Sequence, residues 1–308
     1  MAAMLEPNAR RCPYCGSTAV RGFSAPAYDA LPGVDAQVGI VECLDCVFAW
    51  QYPVARSLDQ STEIFDRSYT EAAGGYFDPA KRRAVAVLQK QFVQSRVRRG
   101  TLLDIGCGDG TFAHSMSESG WRCVGVDPAM PPPSMFGGLG QNLALIRCSE
   151  AELPSEMLFD VVTLWDVVEH LDEPSAVISA AGGRVAPGGW LVIETGNYQS
   201  TGRIESANRW WNYQLDHRWY FSPPQLMSML LDIGFSPPIW SERVLRPWWC
   251  GRPGVAHPSR IALLKSLRFG PPGAREALRR YRALLHAHRN WPHWAGLEIV
   301  TLMSQRPH

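Results

Sequence analysis

No stretch of this 308-residue chain approaches the roughly 18 consecutive apolar residues that a membrane-spanning helix needs. The opening residues, MAAMLEPNARR, lack the apolar core of a secretory signal. Both absences predict a soluble, cytoplasmic protein with no membrane span. Charge excess is missing too. Lys and Arg number 30 against 29 Asp and Glu, a net charge of +1, which gives no overall pull toward nucleic acid or a lipid surface. Lysine is absent from residues 11–79 and Arg is sparse there, which argues against a nucleic-acid-binding front end.

Two further absences narrow the chemistry. LLDIGCGDGTF at 102–112 reads as a buried strand entering a glycine-rich turn. A dinucleotide fingerprint would need its third glycine at 111, which is Thr111. A phosphate loop would end in Gly-Lys-Ser or Gly-Lys-Thr, and the turn has neither. What stands there is Asp104 followed by Gly106, Gly108 and Gly110. Glycines let the backbone turn sharply and approach a ligand closely, because they have no Cβ. The helix that follows aims its N-terminus at that ligand.

Of the eight cysteines, four form two CxxC pairs: Cys12 with Cys15, and Cys43 with Cys46. Two such knuckles can close a tetrahedral thiolate site for Zn2+. With four protein ligands no coordination position is open, so the metal would be structural. The other four, Cys107, Cys123, Cys148 and Cys250, are scattered, as expected of free thiols in a reducing compartment.

Apolar spacing at Ala84, Val87, Leu88, Phe92 and Val97 predicts a helix ending near Gly100. Strands are expected at 101–106, 122–127, 143–149, 159–166 and 190–195, with helices at 111–119, 174–185 and 223–233. LEIVTLMSQ at 297–305 reads as a late strand. Such alternation implies an α/β fold with a mainly parallel sheet covered on both faces. The expected organisation is a zinc ribbon over 1–55, a connector and leading helix over 56–98, and a ligand-binding core over 99–242. A basic helical insertion over 243–294 and a final core strand over 295–308 complete it. Residues 243–290 hold eleven Arg or Lys and one acid, Glu276. One stripe of that insertion holds Arg275, Arg279, Arg282, His286 and Arg289. It is either a solvated helix face or a site for an anionic acceptor.

Ligands of open α/β sheets bind at the carboxyl ends of the strands. Asp127 ends the second strand, where a carboxylate can accept both hydroxyls of a ribose, and Pro128 follows it. Ser149 and Glu150, in CSEAELP, end the third. FDVVTLWDVVEH forms the fourth strand and its exit, with Trp165 and Asp166.

These four segments and RVAPGGWLVIET have the order and spacing of class I S-adenosylmethionine-dependent methyltransferases, which residues 80–242 and the final strand resemble. The resemblance implies a Rossmann-like, doubly wound, seven-stranded sheet whose last strand is antiparallel. It implies S-adenosyl-L-methionine as cofactor, with Asp104 and the turn Gly106, Cys107, Gly108 and Gly110 along the methionine and ribose. It also puts Asp127 and Pro128 at the ribose hydroxyls, and Ser149 and Glu150 at the adenine; Trp165 joins this cofactor set. Many relatives have Asp where this chain has Ser149. The front end resembles a bacterial subgroup carrying a zinc ribbon, whose members act on sugars, natural products or envelope precursors.

Asp166, Glu169 and His170 share one face if a helix starts there. They resemble the acidic-x-x-Glu-His motif of the ubiquinone-pathway O-methyltransferases, where it is associated with a divalent ion. Either that ion or simple bracing of a helix explains the motif. NRWWNYQLDHRWYFSP at 208–223 is either an acceptor wall, with His217 as general base, or aromatic packing. The catalytic candidates are therefore His217, Asp166 and His170. The expected function is methyl transfer to a small-molecule acceptor, oxygen favoured. RNA methylation, or a non-catalytic binding protein with a partner-docking ribbon, is the alternative.

Overall fold

The computed structural model describes residues 11–28, 36–53, 79–130, 141–246 and 297–308. The connector over 56–78 and nearly all of the basic insertion, including its Arg stripe, lie outside them.

Three short strands come first: β1 (Val20–Pro26), β2 (Gln37–Cys43) and β3 (Ala49–Gln51). Next come α1 (Pro79–Gln94), β4 (Thr101–Ile105), α2 (Thr111–Ser117), β5 (Arg122–Val126), β6 (Leu143–Ile146) and β7 (Phe159–Trp165). After them run α3 (Pro174–Gly183), β8 (Val185–Gly196), α4 (Thr201–Ser206), β9 (Trp219–Tyr220), α5 (Pro223–Asp232), β10 (Ile239–Trp240) and β11 (Ile299–Gln305).

Seven strands form the large sheet in the order β10-β11-β8-β7-β4-β5-β6. The β4, β5, β6, β7 and β8 pairs are parallel, and β11 runs antiparallel to β8. This is the expected Rossmann-like sheet with a reversed last strand. Leu103, Val162, Leu164, Leu191 and Ile193 pack on one side of it, and Leu102, Val161 and Val192 on the other. Burial on both faces is why these segments read as nearly continuous apolar runs.

The bounds shift in places. β6 stops at Ile146, before the expected 149, because Ser149 begins a 3-10 turn closed by a capping box with Glu152. β8 starts at Val185, five residues before the expected 190, with an irregular register against Phe159 and Val161. The leading helix also turns differently from its apolar spacing. It buries Ala86, Gln89 and Val93, while Val87 is exposed.

The ribbon is not a separate bead. β1, β2 and β3 form an antiparallel sheet whose fourth member is β9. Tyr198, Trp210, Tyr213 and Tyr220 pack against its Ala25, Val38, Ile40 and Ala49. Most of the aromatic segment therefore serves packing, as one of its two readings held.

Candidate functional site

The glycine turn leaves β4 with φ of 68° at Gly106, 55° at Gly108 and 75° at Gly110. A Cβ on Gly106 would lie 2.5 Å from Val167 Cγ2, and one on Gly110 2.6 Å from Leu145 Cδ1. Neither position admits a side chain, and both demand a left-handed backbone. The turn also orients the acid at the end of β5. Gly108 N–H donates to Asp127 Oδ2 at 2.9 Å and Ala129 N–H to Asp127 Oδ1 at 2.8 Å. Each oxygen keeps a second lone pair for an incoming hydroxyl. Asp109 accepts from Thr111 N–H at 3.0 Å and pairs with Arg82 of α1 at 2.6 Å, so α1 is fastened to the turn.

Asp104 lies beneath the turn, in the core. Its Oδ1 accepts from Thr163 Oγ1 at 2.7 Å, and burial pushes its pKa up to about 7. Cys107 is buried, and its thiol is held well above the usual range by burial and by neighbouring acids. Trp165 meets Phe112 edge to face at 5.0 Å. Ser149 Oγ donates to Glu152 at 3.0 Å, and the Glu150 carbonyl accepts from Arg184 at 2.9 Å. Arg147 donates to the Pro128 carbonyl at 3.0 Å.

Beyond β7 the expected acidic set divides. Asp166 sits at φ 52°, a strained conformation for a residue other than glycine. Its carboxylate is bound by Arg246, whose other nitrogen meets Glu194 at 2.6 Å. Glu194 also accepts from Thr301 at 2.6 Å and from Gln89 at 3.4 Å. Asp166 is thus engaged by Arg246 and is not part of the cluster that Glu169 and His170 make. Sequence reading missed Arg246, Glu194, Gln89 and Arg82. A lone acid inside the apolar run LVIET was the one local signal.

Glu169 and His170 converge instead with His217; one ligand atom from each lies within 4.8 Å of the others. The two imidazoles meet edge to face at 4.7 Å. His217 shares its Nδ1 with the Asn212 carbonyl at 3.0 Å, and His170 shares its Nδ1 with the Asp216 carbonyl at 3.2 Å. Burial and the neighbouring His170 push His217 down to about 4. Burial opposes charge on His170, but Asp216 and Glu169 outweigh it and raise its pKa. Burial pushes Glu169 up to about 7, and its Oε2 is buried without a hydrogen-bond partner. The pair therefore holds one imidazole that resists a proton and one that attracts it.

The four ribbon thiols come together as the spacing predicts. Cys12 Sγ and Cys46 Sγ are 3.6 Å apart, as are those of Cys15 and Cys43. Tetrahedral thiolates at about 2.3 Å from zinc would stand about 3.8 Å apart, so the cluster fits that ion. Gly16 and Val47, each following the second cysteine of a pair, both adopt positive φ, and the two knuckles share one turn.

A family model described as a methyltransferase domain matches residues 77–237, more than half of the chain. The ubiquinone biosynthesis O-methyltransferase of Hydrogenovibrio crunogenus is 32% identical over 119 residues, 36% of this chain and 48% of that one. The protein of the same name from Chromobacterium violaceum is 35% identical over 102 residues, 31% of this chain and 44% of its own. The chain thus spans about half the length of the curated relatives it matches. Among solved structures, the Burkholderia thailandensis 1,6-didemethyltoxoflavin-N1-methyltransferase, with bound 1,6-didemethyltoxoflavin and S-adenosylhomocysteine, aligns with a TM-score of 0.54 and 19% identity. That alignment covers 89% of this chain and 98% of that one, a likeness of fold. The chain belongs to the methyltransferase-domain family and has the class I S-adenosylmethionine-dependent fold.

Proposed function

We propose that the protein transfers a methyl group from S-adenosylmethionine to a hydroxyl oxygen of a small molecule. The observation that carries this reading is the glycine turn whose Gly108 N–H holds Asp127, with a neutral buried imidazole, His217, beside the residues that follow β7. S-adenosylmethionine supplies an electrophilic methyl on a sulfonium. Asp127 accepts the ribose hydroxyls, Gly106 to Gly110 give the backbone its close approach, and Ser149 and Glu150 lie on the adenine side with Trp165. Positioning of the acceptor supplies much of the acceleration.

Methylation of a hydroxyl releases a proton. With Nδ1–H committed to the Asn212 carbonyl, the lone pair of His217 is on Nε2, which takes that proton. His170, held by Asp216, faces it across the pair. Asp166 is committed to Arg246 and has a positioning role. The named relatives support oxygen as acceptor, and the scarcity of basic residues in the ribbon tells against RNA. Free cysteines at every described position fit action in the cytoplasm.

A second reading of the same cluster is a divalent cation held by Glu169, His170 and His217, favoured by the unpartnered Glu169 Oε2. Activity that survives a chelator would exclude it.

The test is labelled methyl transfer into a source-cell extract, with mass spectrometry of the product. A small methyl ether is expected; label in RNA, or no label, would overturn the reading. On the acceptor so found, His217→Ala should lose roughly 100-fold in turnover, the scale of a positioned general base, with cofactor affinity unchanged. Near-normal turnover would remove His217 from the base role.

A further inference from the structure

β9 is two residues long, too short to hold itself in place. Its order comes from its neighbours on two sides. On the ribbon side, Trp219 and Tyr220 pair with Trp50 and Ala49, and Gln51 N–H donates to the Arg218 carbonyl at 2.9 Å. Gln51 Nε2 donates to the Leu215 carbonyl at 3.2 Å. The Phe48 ring stacks on Trp219 at 5.8 Å and 20°. On the core side, Arg218 N–H and Trp219 N–H both donate to the Glu169 carbonyl, at 2.8 and 3.2 Å, and Trp219 Nε1 donates to the Leu171 carbonyl at 2.6 Å. One short strand thus joins the ribbon to the loop that carries Glu169 and His170. It also begins two residues after His217.

A single side chain ties this strand's exit to the thiol cluster. Gln225 Oε1 accepts from Ser222 N–H and Ser222 Oγ, both at 2.8 Å, closing the capping box of α5. Its Nε2 donates to the carbonyl of Cys46 at 2.8 Å. Cys46 is one of the four thiol residues, and its carbonyl is fixed only as well as its knuckle is.

We propose that Gln225 is a positioning residue that couples the four-thiol metal site to the acceptor wall. Metal in the ribbon fixes the Cys46 carbonyl. Gln225 carries that order to the start of α5 and to β9, and β9 sets the relative places of His217 and of Glu169 with His170. This rests on the reading of the thiols as a zinc site and of the histidine pair as part of the acceptor wall.

Gln225→Glu separates the two duties of this side chain. A carboxylate keeps the acceptor of the capping box, for which Glu serves as well as Gln, but removes the amide donor to Cys46. The full-length, zinc-loaded wild type and Gln225→Glu would be compared by metal analysis, zinc release to a chromogenic chelator, amide hydrogen exchange, imidazole NMR signals and calorimetry with S-adenosylhomocysteine.

The variant should keep its zinc, its S-adenosylhomocysteine affinity and the exchange protection of α5. Exchange at 48–51 and 218–221, and zinc release, should each quicken by about tenfold, the scale of one lost hydrogen bond. The His170 and His217 signals should move. Zinc stripped from the wild type should give the same pattern, enlarged. Unchanged exchange at 218–221 and unmoved imidazole signals in both samples would overturn the coupling alone. Wild type purified without any zinc would overturn the metal reading and the coupling with it. Loss of protection across β4 and β5 together with S-adenosylhomocysteine binding would show general unfolding and also overturn it.

Discussion

At the scale of single residues, Asp127 is oriented before any ligand arrives, since both its oxygens already accept backbone N–H groups. Asp127→Ala should weaken S-adenosylmethionine binding by about 1.5–3 kcal/mol, the range for hydrogen bonds to a charged group. Calorimetry showing unchanged affinity would refute the ribose assignment. His217 makes a different prediction, in pH. Its folded pKa of about 4 lies below the ordinary histidine value of about 6.5. The unfolded chain therefore takes up the proton first, and the stability tied to the neutral ring is complete above that ordinary value. It is lost as pH falls through the folded value. Relative to His217→Gln, the wild type should lose up to about 3 kcal/mol between those two values. Urea midpoints of wild type and variant that stay parallel over that window would rule it out. The turn and Asp127 were legible because a local spacing encodes them. Arg246 was not, because its partners Asp166, just past β7, and Glu194, in β8, lie 80 and 52 residues away in the chain and no period links the three.

Secondary-structure elements that the sequence declares are those whose burial follows their own period. β4, β5, β7 and β11 were found nearly to the residue for that reason. α1 was found but misoriented: its buried face is fixed by Gln89 reaching Glu194, a polar anchor that no apolar period can reveal. β9 could not be foreseen as a strand, since its partner is in the ribbon. The buried ion network is the joint between elements. Arg246 joins the exit of β7 to β8, while Thr301 of β11 and Gln89 of α1 bond the same Glu194. Arg246→Met would leave Glu194, which is fully buried, without this cation, and removing one partner of such a pair costs about 3–5 kcal/mol. Denaturant unfolding should show that loss. A variant as stable as the wild type would mean that solvent reaches the Glu194 carboxylate.

Over the whole molecule, the four thiols and the large sheet are one structure joined at β9. Metal analysis of protein purified without added zinc should find a single zinc per chain, and Cys12→Ser with Cys43→Ser should abolish it. A folded wild type without metal would exclude the site. The shared sheet also has a consequence during synthesis. Gln51 contacts Leu215, 164 residues later in the chain. At a ribosomal pace of about 5–20 residues per second, the ribbon waits roughly 8–30 seconds for its fourth strand. During that interval β3 is an open edge, a template for pairing with another chain. The cysteine knuckles are complete long before then. A nascent chain that captures its metal early can hold that edge in its native register until the strand that covers it leaves the exit tunnel.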